Sequence, residues 1–163
     1  MELLKILESF FAVVFYIGAT AGILLAFFQY RRQRVFERMK NLTQLWERFA
    51  EKEHLAEIFA LLDNPTVENQ KKLKDASLIA DKLRYLALLD EVTLFAWLDE
   101  VDKEKACYLF QFHFYNCIWG KGGEAFWEYQ GGLKEVEKPY WKDFLHFAQE
   151  CRGYMIREGT FKE

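Results

Sequence analysis

The sequence contains little proline and glycine, with two and nine residues of these types among 163. Because the turns between short strands rely on these residues, their scarcity disfavours a sheet and favours long helices. Cysteine is also scarce: Cys107, Cys117 and Cys151 lie in predicted helices without close pairing, and an odd number indicates free, buried thiols. We therefore expect an all-α fold without a disulfide.

An excess of charge of one sign is also missing. The chain has 22 basic and 25 acidic residues, which are interleaved and leave a net charge of -3. Such a chain has no global field of the kind that gathers nucleic acid. The charge pattern therefore does not support direct nucleic-acid binding.

Motifs for catalysis or for cofactors are absent too. The segment Gly120-Lys121-Gly122-Gly123 has no preceding strand and no Ser or Thr after its lysine, so we interpret it as a loop and not as a phosphate-binding motif. No nucleophile elbow of the Ser-His-Asp type occurs either. We expect the chain to have no cofactor and not to be an enzyme.

Metal binding has one weak candidate group. His113 and Cys117 lie four residues apart, and His146 and Cys151 could join them from the last helix as zinc ligands. No C-x2-C pair is present, and single His and Cys residues on an apolar stripe usually belong to the core. We therefore predict no metal site.

A long apolar run is present near the N-terminus. No charged residue occurs from Ser9 to Tyr30, and Phe10 to Phe28 is almost wholly apolar. At 1.5 Å per residue this stretch reaches about 28 Å, close to the roughly 30 Å of a hydrocarbon core. The run predicts one transmembrane helix.

A cleaved signal peptide is the alternative, because Ala19-Thr20-Ala21 resembles a small-residue cleavage site. Three features disfavour it. The leading residues carry Glu2 and Glu8 against one lysine, the apolar run continues beyond Ala21, and arginines then end it. We expect the helix to be retained as an anchor.

The residues after the apolar run predict its orientation. Basic residues are concentrated on the C-terminal side of the span, at Arg31, Arg32, Arg34, Arg38 and Lys40. By the positive-inside rule the N-terminus then lies outside and the rest in the cytoplasm, which predicts an inner (cytoplasmic) membrane protein. Residues 1–32 form the N-terminal segment and transmembrane helix, and residues 33–163 form the cytoplasmic domain. Arg31, Arg32 and Arg34 are candidates for binding anionic headgroups.

Small residues recur within the predicted span. Gly18, Gly22 and Ala26 lie four residues apart, whereas Ala12, Ala19 and Ala26 lie seven apart. Such faces allow helix backbones to approach closely in lipid, where they form helix contacts or line a pore. The alternative is that Gly and Ala are simply common in membrane helices. We expect homo-oligomers.

The cytoplasmic part follows helical spacing. No Pro or Gly lies between Gly22 and Pro65, so the membrane helix is expected to continue into the cytoplasm, and it or a close successor ends near Asp63. A turn, a helix from Ala76 to Val101 and a helix Lys103 to Trp119 capped by Asp102 follow. A short helix around Phe126 ends at Gly131 and Gly132, and Pro139 begins a last helix that reaches Arg157. These elements predict a bundle of about four to six helices.

Arg48 and His54 are the candidate catalytic residues. Their R-x5-H spacing falls within the R-x(4-6)-H pattern of the helical HEPN ribonucleases, which is short enough to arise by chance. Six positions along an ideal helix separate the two side chains by about 120°, so they converge only if the helix breaks near Lys52 and Glu53. A solvated arginine and a histidine at a helix end are the simpler interpretation.

The layout resembles small single-span helical membrane proteins of bacteria. Shared features are the span, its exit Tyr30-Arg31-Arg32-Gln33-Arg34, and the segments Lys82–Leu86, Tyr108–Phe110 and Phe126-Trp127. It is also similar to the membrane accessory proteins of type VI RNA-guided CRISPR nucleases, which combine one span with a divergent HEPN-like domain, here at most Arg48 and His54. The resemblance implies an oligomeric pore that depolarises the membrane to enhance antiviral defence, functionally coupled to an RNA-guided ribonuclease.

Three functions are thus compared. The first is an oligomeric membrane effector that forms a pore. The second is a membrane-tethered binding or scaffold module without pore activity, and the third is a membrane-bound ribonuclease that uses Arg48 and His54.

Overall fold

The chain is helical throughout the residues that the computed structural model describes, 2–132 and 138–160, and no strand occurs among them. Side chains are described from Phe11 onward, except those of residues 12 and 13. The described helices are α1 (Glu2–Ala50), α2 (Glu53–Asp63), α3 (Val67–Leu73), α4 (Ile79–Trp97), α5 (Lys103–Ile118), α6 (Gly123–Trp127) and α7 (Lys142–Arg157). The predicted all-α fold with a long apolar N-terminal helix is confirmed.

The chain divides into two compact units, Met1–Glu37 and Arg38–Glu163. Helix α1 is unbroken from Glu2 to Ala50, as expected from a segment without Pro or Gly after Gly22. The predicted continuation of the apolar helix is therefore confirmed. The proposed division between membrane and cytoplasm at residues 32 and 33 stays a prediction.

Helices α1 and α2 are separated by a break at residues 51 and 52. Lys52 has an extended backbone, and α2 then begins at Glu53 and ends at Asp63, two residues before Pro65 as predicted. The turn expected next is instead the helix α3, so that prediction was wrong. The Thr66 side chain accepts a hydrogen bond from the Asn69 backbone N–H and caps this helix.

Helix α4 is shorter than predicted. It ends at Trp97 and not at Val101, because Asp99 adopts φ 60 and the Glu100 N–H bonds back to the Phe95 carbonyl, which closes the helix end. A 3-10 turn, Ala76–Leu78, precedes it. Helix α5 has the predicted N-cap, since the Asp102 side chain accepts a hydrogen bond from the Lys105 N–H.

The core of the second unit lies between α2, α4, α5, α6, α7 and the last turns of α1. Large buried side chains fill it: Phe49, Tyr85, Phe110, Phe114, Phe126, Trp127, Phe144 and Phe147. Leu83 in α4 is exposed, whereas its neighbour Lys82 is buried. The Lys82 Nζ donates a 2.7 Å hydrogen bond to the Leu73 carbonyl at the end of α3. The ammonium thus supplies a donor to a carbonyl that has no partner within its own helix.

The last elements follow the glycine and proline signals of the sequence. Helix α6 continues into the 3-10 turn Glu128–Gln130, which ends at Gly131 with φ 100. The 3-10 turn Pro139–Trp141 leads into α7, which ends at Arg157 as predicted. Phe144, Ala148 and Cys151 are buried along α7.

Candidate membrane-spanning helix and candidate polar sites

Helix α1 is long and apolar enough to cross a membrane, by length and composition. Every side chain from Val14 to Tyr30 is exposed, and the large apolar ones among them include Phe15, Ile17, Ile23 and Phe27. A row of exposed apolar side chains this long is unfavourable in water. The helix therefore has the surface that a lipid environment or a partner helix would cover.

The small residues of this helix have open surroundings. A Cβ atom added to Gly18 or Gly22 would meet nothing within 4 Å, and Ala19 and Ala26 are also exposed. The side chain of Ala12, the remaining residue of the predicted contact faces, lies outside the described residues. The structure thus places Gly18, Ala19, Gly22 and Ala26 on the exposed surface of one continuous helix.

The arginines that follow the apolar run lie on the next turns of α1. Arg31 and Arg32 are exposed, and Arg34 is half-buried. The Arg31 guanidinium lies over the Phe27 ring, 5.9 Å from its centroid. The proposed contacts of these arginines with anionic headgroups stay a prediction.

Arg48 and His54 lie on either side of the break between α1 and α2. The helix does break where their convergence would require it. However, the Arg48 guanidinium pairs with the Glu91 carboxylate of α4, 2.5 Å away, and no hydrogen bond joins it to His54 in the described chain. The His54 Nε2 is buried and has no hydrogen-bond partner there. A joint action of the two residues on RNA is untested and has no geometric support.

A buried polar pair lies in the middle of the second unit. The Tyr85 hydroxyl and the His113 Nδ1 are 2.8 Å apart. The centroid of the imidazole ring lies 4.8 Å from that of the Phe49 ring and 4.3 Å from that of the Phe59 ring. Burial lowers the pKa of His113 to about 4, against the opposing charge of Asp63. The imidazole is therefore neutral near pH 7.

The imidazole also borders a small apolar hollow of about 180 Å³, which is lined by Trp46, Phe49, Ala50, Leu55, Ala56, Phe59 and His113. The sequence placed His113 in the core, and the structure agrees. Sequence reasoning missed its partner Tyr85, because the register of α4 against α5 is set by tertiary packing.

The second unit also includes a polar contact between α1 and the turn after α4. The Arg38 Nε donates to the Asp99 carbonyl at 2.9 Å, and its guanidinium forms an ion pair with the Asp99 carboxylate. The Asn41 amide donates to the Glu100 carbonyl at 3.1 Å. These bonds hold the C-terminal part of α1 against this turn.

The cysteines are free and buried, as predicted, and two of them that are far apart in the sequence lie close together. The Sγ atoms of Cys107 in α5 and Cys151 in α7 lie 2.7 Å apart. Each cysteine lies on the apolar stripe of its helix, so their meeting follows from the packing of α5 on α7. Cys117 lies elsewhere in the core, where burial raises the pKa of its thiol.

The four residues considered as zinc ligands do not form one group. His113 pairs with Tyr85 and Cys151 with Cys107, whereas the exposed His146 lies 3.5 Å from the Glu150 carboxylate. Within residues 2–132 and 138–160, no three His, Cys, Asp or Glu side chains form a group that could hold a metal ion.

Comparison of the chain with models of protein families, with curated proteins and with solved structures found no match. The resemblance to accessory proteins of CRISPR loci therefore stays a prediction.

Proposed function

We propose that this protein is an oligomeric membrane effector, anchored by α1 with the N-terminus outside and the helical domain in the cytoplasm. Its assembled spans form a pore that depolarises the membrane. The proposal joins two lines of argument: the exposed apolar surface of α1, and the resemblance to membrane proteins of antiviral defence. In that setting an RNA-guided ribonuclease would supply the signal.

The observation that carries the proposal is the open space around Gly18 and Gly22. A glycine within a helix costs about 1 kcal/mol relative to alanine, and neither position has a neighbour in the chain that requires one. The chain's own fold therefore does not explain these glycines. In lipid, small residues four positions apart allow the backbones of two helices to approach closely, which supports contacts between copies.

Simple geometry limits the assembly. Helices about 10 Å across enclose a lumen of roughly 8 Å radius when about eight form a ring, whereas four leave almost none. No charged residue occurs between Ser9 and Tyr30. A pore lined by this segment would therefore be neutral and would discriminate weakly between cations and anions.

The first test is the mass of the full-length protein in mild detergent, measured by light scattering. A discrete oligomer of about six or more copies is expected, because rings of four or five helices leave almost no lumen. Gly18→Leu with Gly22→Leu should break it into small species, since the added side chains separate the helices. The matched control is Thr20→Leu, on the opposite side of the helix by its 3.6-residue period.

The second test is conductance in liposomes. The wild-type protein and Thr20→Leu should release a potassium gradient under activating conditions, and the double glycine variant should not. A wild-type protein that is monomeric or dimeric would reject the pore and make the membrane-tethered binding module the better hypothesis. A large oligomer that is unchanged by the glycine substitutions would show that the contacts lie elsewhere.

A further inference from the structure

We propose that Cys107 and Cys151 form an oxidisable dithiol, which hydrogen peroxide converts into an intrachain disulfide between α5 and α7. This modification site goes beyond the proposed membrane function and does not depend on it. It rests on the positions of two side chains within the second unit.

The geometry already favours bond formation. The two Sγ atoms are 2.7 Å apart, with the Cys151 thiol donating to the Cys107 sulfur. A disulfide has an S–S distance of about 2.05 Å, so the sulfurs need to approach by less than about 1 Å. The third cysteine, Cys117, has no sulfur partner in the described chain and provides an internal control.

The two thiols differ in access. Cys151 is fully buried, whereas Cys107 retains 5% of its surface and lines an open hollow of about 310 Å³. The charges that line this hollow balance one another, because two basic residues, Lys103 and Arg157, lie beside two acidic ones, Glu104 and Glu150. A small, neutral oxidant can therefore enter without electrostatic penalty, and hydrogen peroxide has both properties. Cys107 is the thiol that it meets.

The reaction has two balanced steps. The Cys107 thiolate attacks one peroxide oxygen; the O–O bond breaks, an S–O bond forms, and the leaving hydroxide takes up a proton as water. The Cys151 thiol then loses its proton and attacks the Cys107 sulfur of the sulfenic acid. The S–O bond breaks, the S–S bond forms and a second water leaves. Two thiols and one peroxide thus give one disulfide and two waters, and a dithiol reverses the change by exchange.

The arrangement suits a reversible modification. Burial raises the pKa of the Cys151 thiol, so this group stays protonated until the sulfenic acid forms beside it. In a reducing cytoplasm, thioredoxin-like or glutathione reductants return such a bond to the dithiol. The disulfide would join residues 44 positions apart and fix α5 to α7.

The test uses the reduced full-length protein in detergent, treated with hydrogen peroxide and then denatured and alkylated. One thiol per chain should remain reactive instead of three, with a mass loss of about 2 Da and one linked peptide pair that contains Cys107 and Cys151. Cys117→Ser is the matched control and should keep the linkage. Cys107→Ala and Cys151→Ala should each abolish it.

The wild-type protein alone can overturn the proposal, so it does not depend on whether the variants fold. Three alkylated thiols after peroxide treatment would reject the reaction. Sulfinic acid at Cys107 without a linked peptide would show that Cys151 does not resolve the oxidised sulfur. The linkage together with a higher unfolding temperature that dithiothreitol reverses would support it.

Discussion

The Tyr85 hydroxyl and the His113 imidazole form a buried hydrogen bond of 2.8 Å inside a group of aromatic rings. His113 retains 9% of its surface, and burial lowers its pKa to about 4 from an ordinary value of 6.5. Between these two pH values, the His113 imidazole is neutral in the native state but protonated in the unfolded chain. This difference links proton binding to folding.

We expect acid to destabilise the domain through this residue. Between about pH 6.5 and 4 the unfolded chain binds a proton at His113 and the native chain does not, so stability falls as the pH falls. The loss is about 3 kcal/mol in total and levels off below the native pKa. Urea unfolding at pH 7 and pH 4.5 measures it.

The control for this prediction is the double variant Tyr85→Phe with His113→Phe, which removes both polar groups together. Its loss of stability on acidification should be smaller than that of the wild type. His146→Gln, at an exposed histidine, should behave as the wild type. An equal acid response of all three proteins would contradict the assignment to His113.

The turn after α4 offers a test of backbone strain. Asp99 has φ 60, a left-handed backbone conformation that costs most non-glycine residues about 1 kcal/mol and aspartate less. We expect Asp99→Ala to lower the free energy of unfolding by about 1 kcal/mol and Asp99→Gly to change it by less than about 0.5 kcal/mol, because glycine adopts this conformation freely and the Asp99 side chain in the Arg38 ion pair is 61% exposed. Thermal unfolding with circular dichroism measures both. If Asp99→Ala, Asp99→Gly and Arg38→Gln all lower the free energy of unfolding by the same amount, the ion pair and not the backbone conformation accounts for the loss.

Two glycines should respond in opposite ways to alanine. An added Cβ at Gly153, within α7, would meet nothing within 4 Å, whereas one at Gly123 would lie 2.8 Å from the Cys117 carbonyl oxygen. We expect Gly153→Ala to stabilise the domain by up to about 1 kcal/mol through helix propensity, and Gly123→Ala to destabilise it. Urea unfolding curves compare them. A destabilising Gly153→Ala would contradict the open space at that position.

The arginines beside the span should determine its orientation. Replacement of Arg31, Arg32 and Arg34 by Gln removes positive charge near the end of the span, so fewer chains should place the domain in the cytoplasm. A C-terminal reporter that is active on only one side of the membrane measures the fraction. Substitution of Lys71, Lys72 and Lys74 by Gln removes the same charge at positions later in the sequence than the apolar run and serves as the control. An unchanged fraction in the arginine variant would reject their role in orientation.

Local signals in the sequence predicted most element boundaries. Asp102 caps α5, Pro65 follows the end of α2, and Pro139 precedes α7, since each acts on backbone conformation within a few residues. Helix α3 escaped detection because its stability is local and polar: Thr66 caps it, and Val67 is 88% exposed. Apolar periodicity cannot indicate such a helix.

The polar features of the interior could not be predicted in the same way. Lys82 is buried because the end of α3 needs a donor, and this need depends on a helix that the sequence did not indicate. The sulfurs of Cys107 and Cys151, 44 positions apart in the sequence, meet because of the relative register of α5 and α7. Periodicity shows which side of a helix faces inward, but the partner of each residue depends on how helices slide against one another.

Helix α1 also determines where the domain can be cut. Leu42, Leu45 and Phe49 belong to this helix but are buried in the core of the second unit, with the Phe49 ring 5.7 Å from that of Tyr85. A fragment that begins at Glu53 would lack these three residues and expose the apolar surface that they cover. A fragment that begins at Arg38 retains all three. The smallest fragment that keeps this core therefore starts within α1 and carries the last turns of that helix.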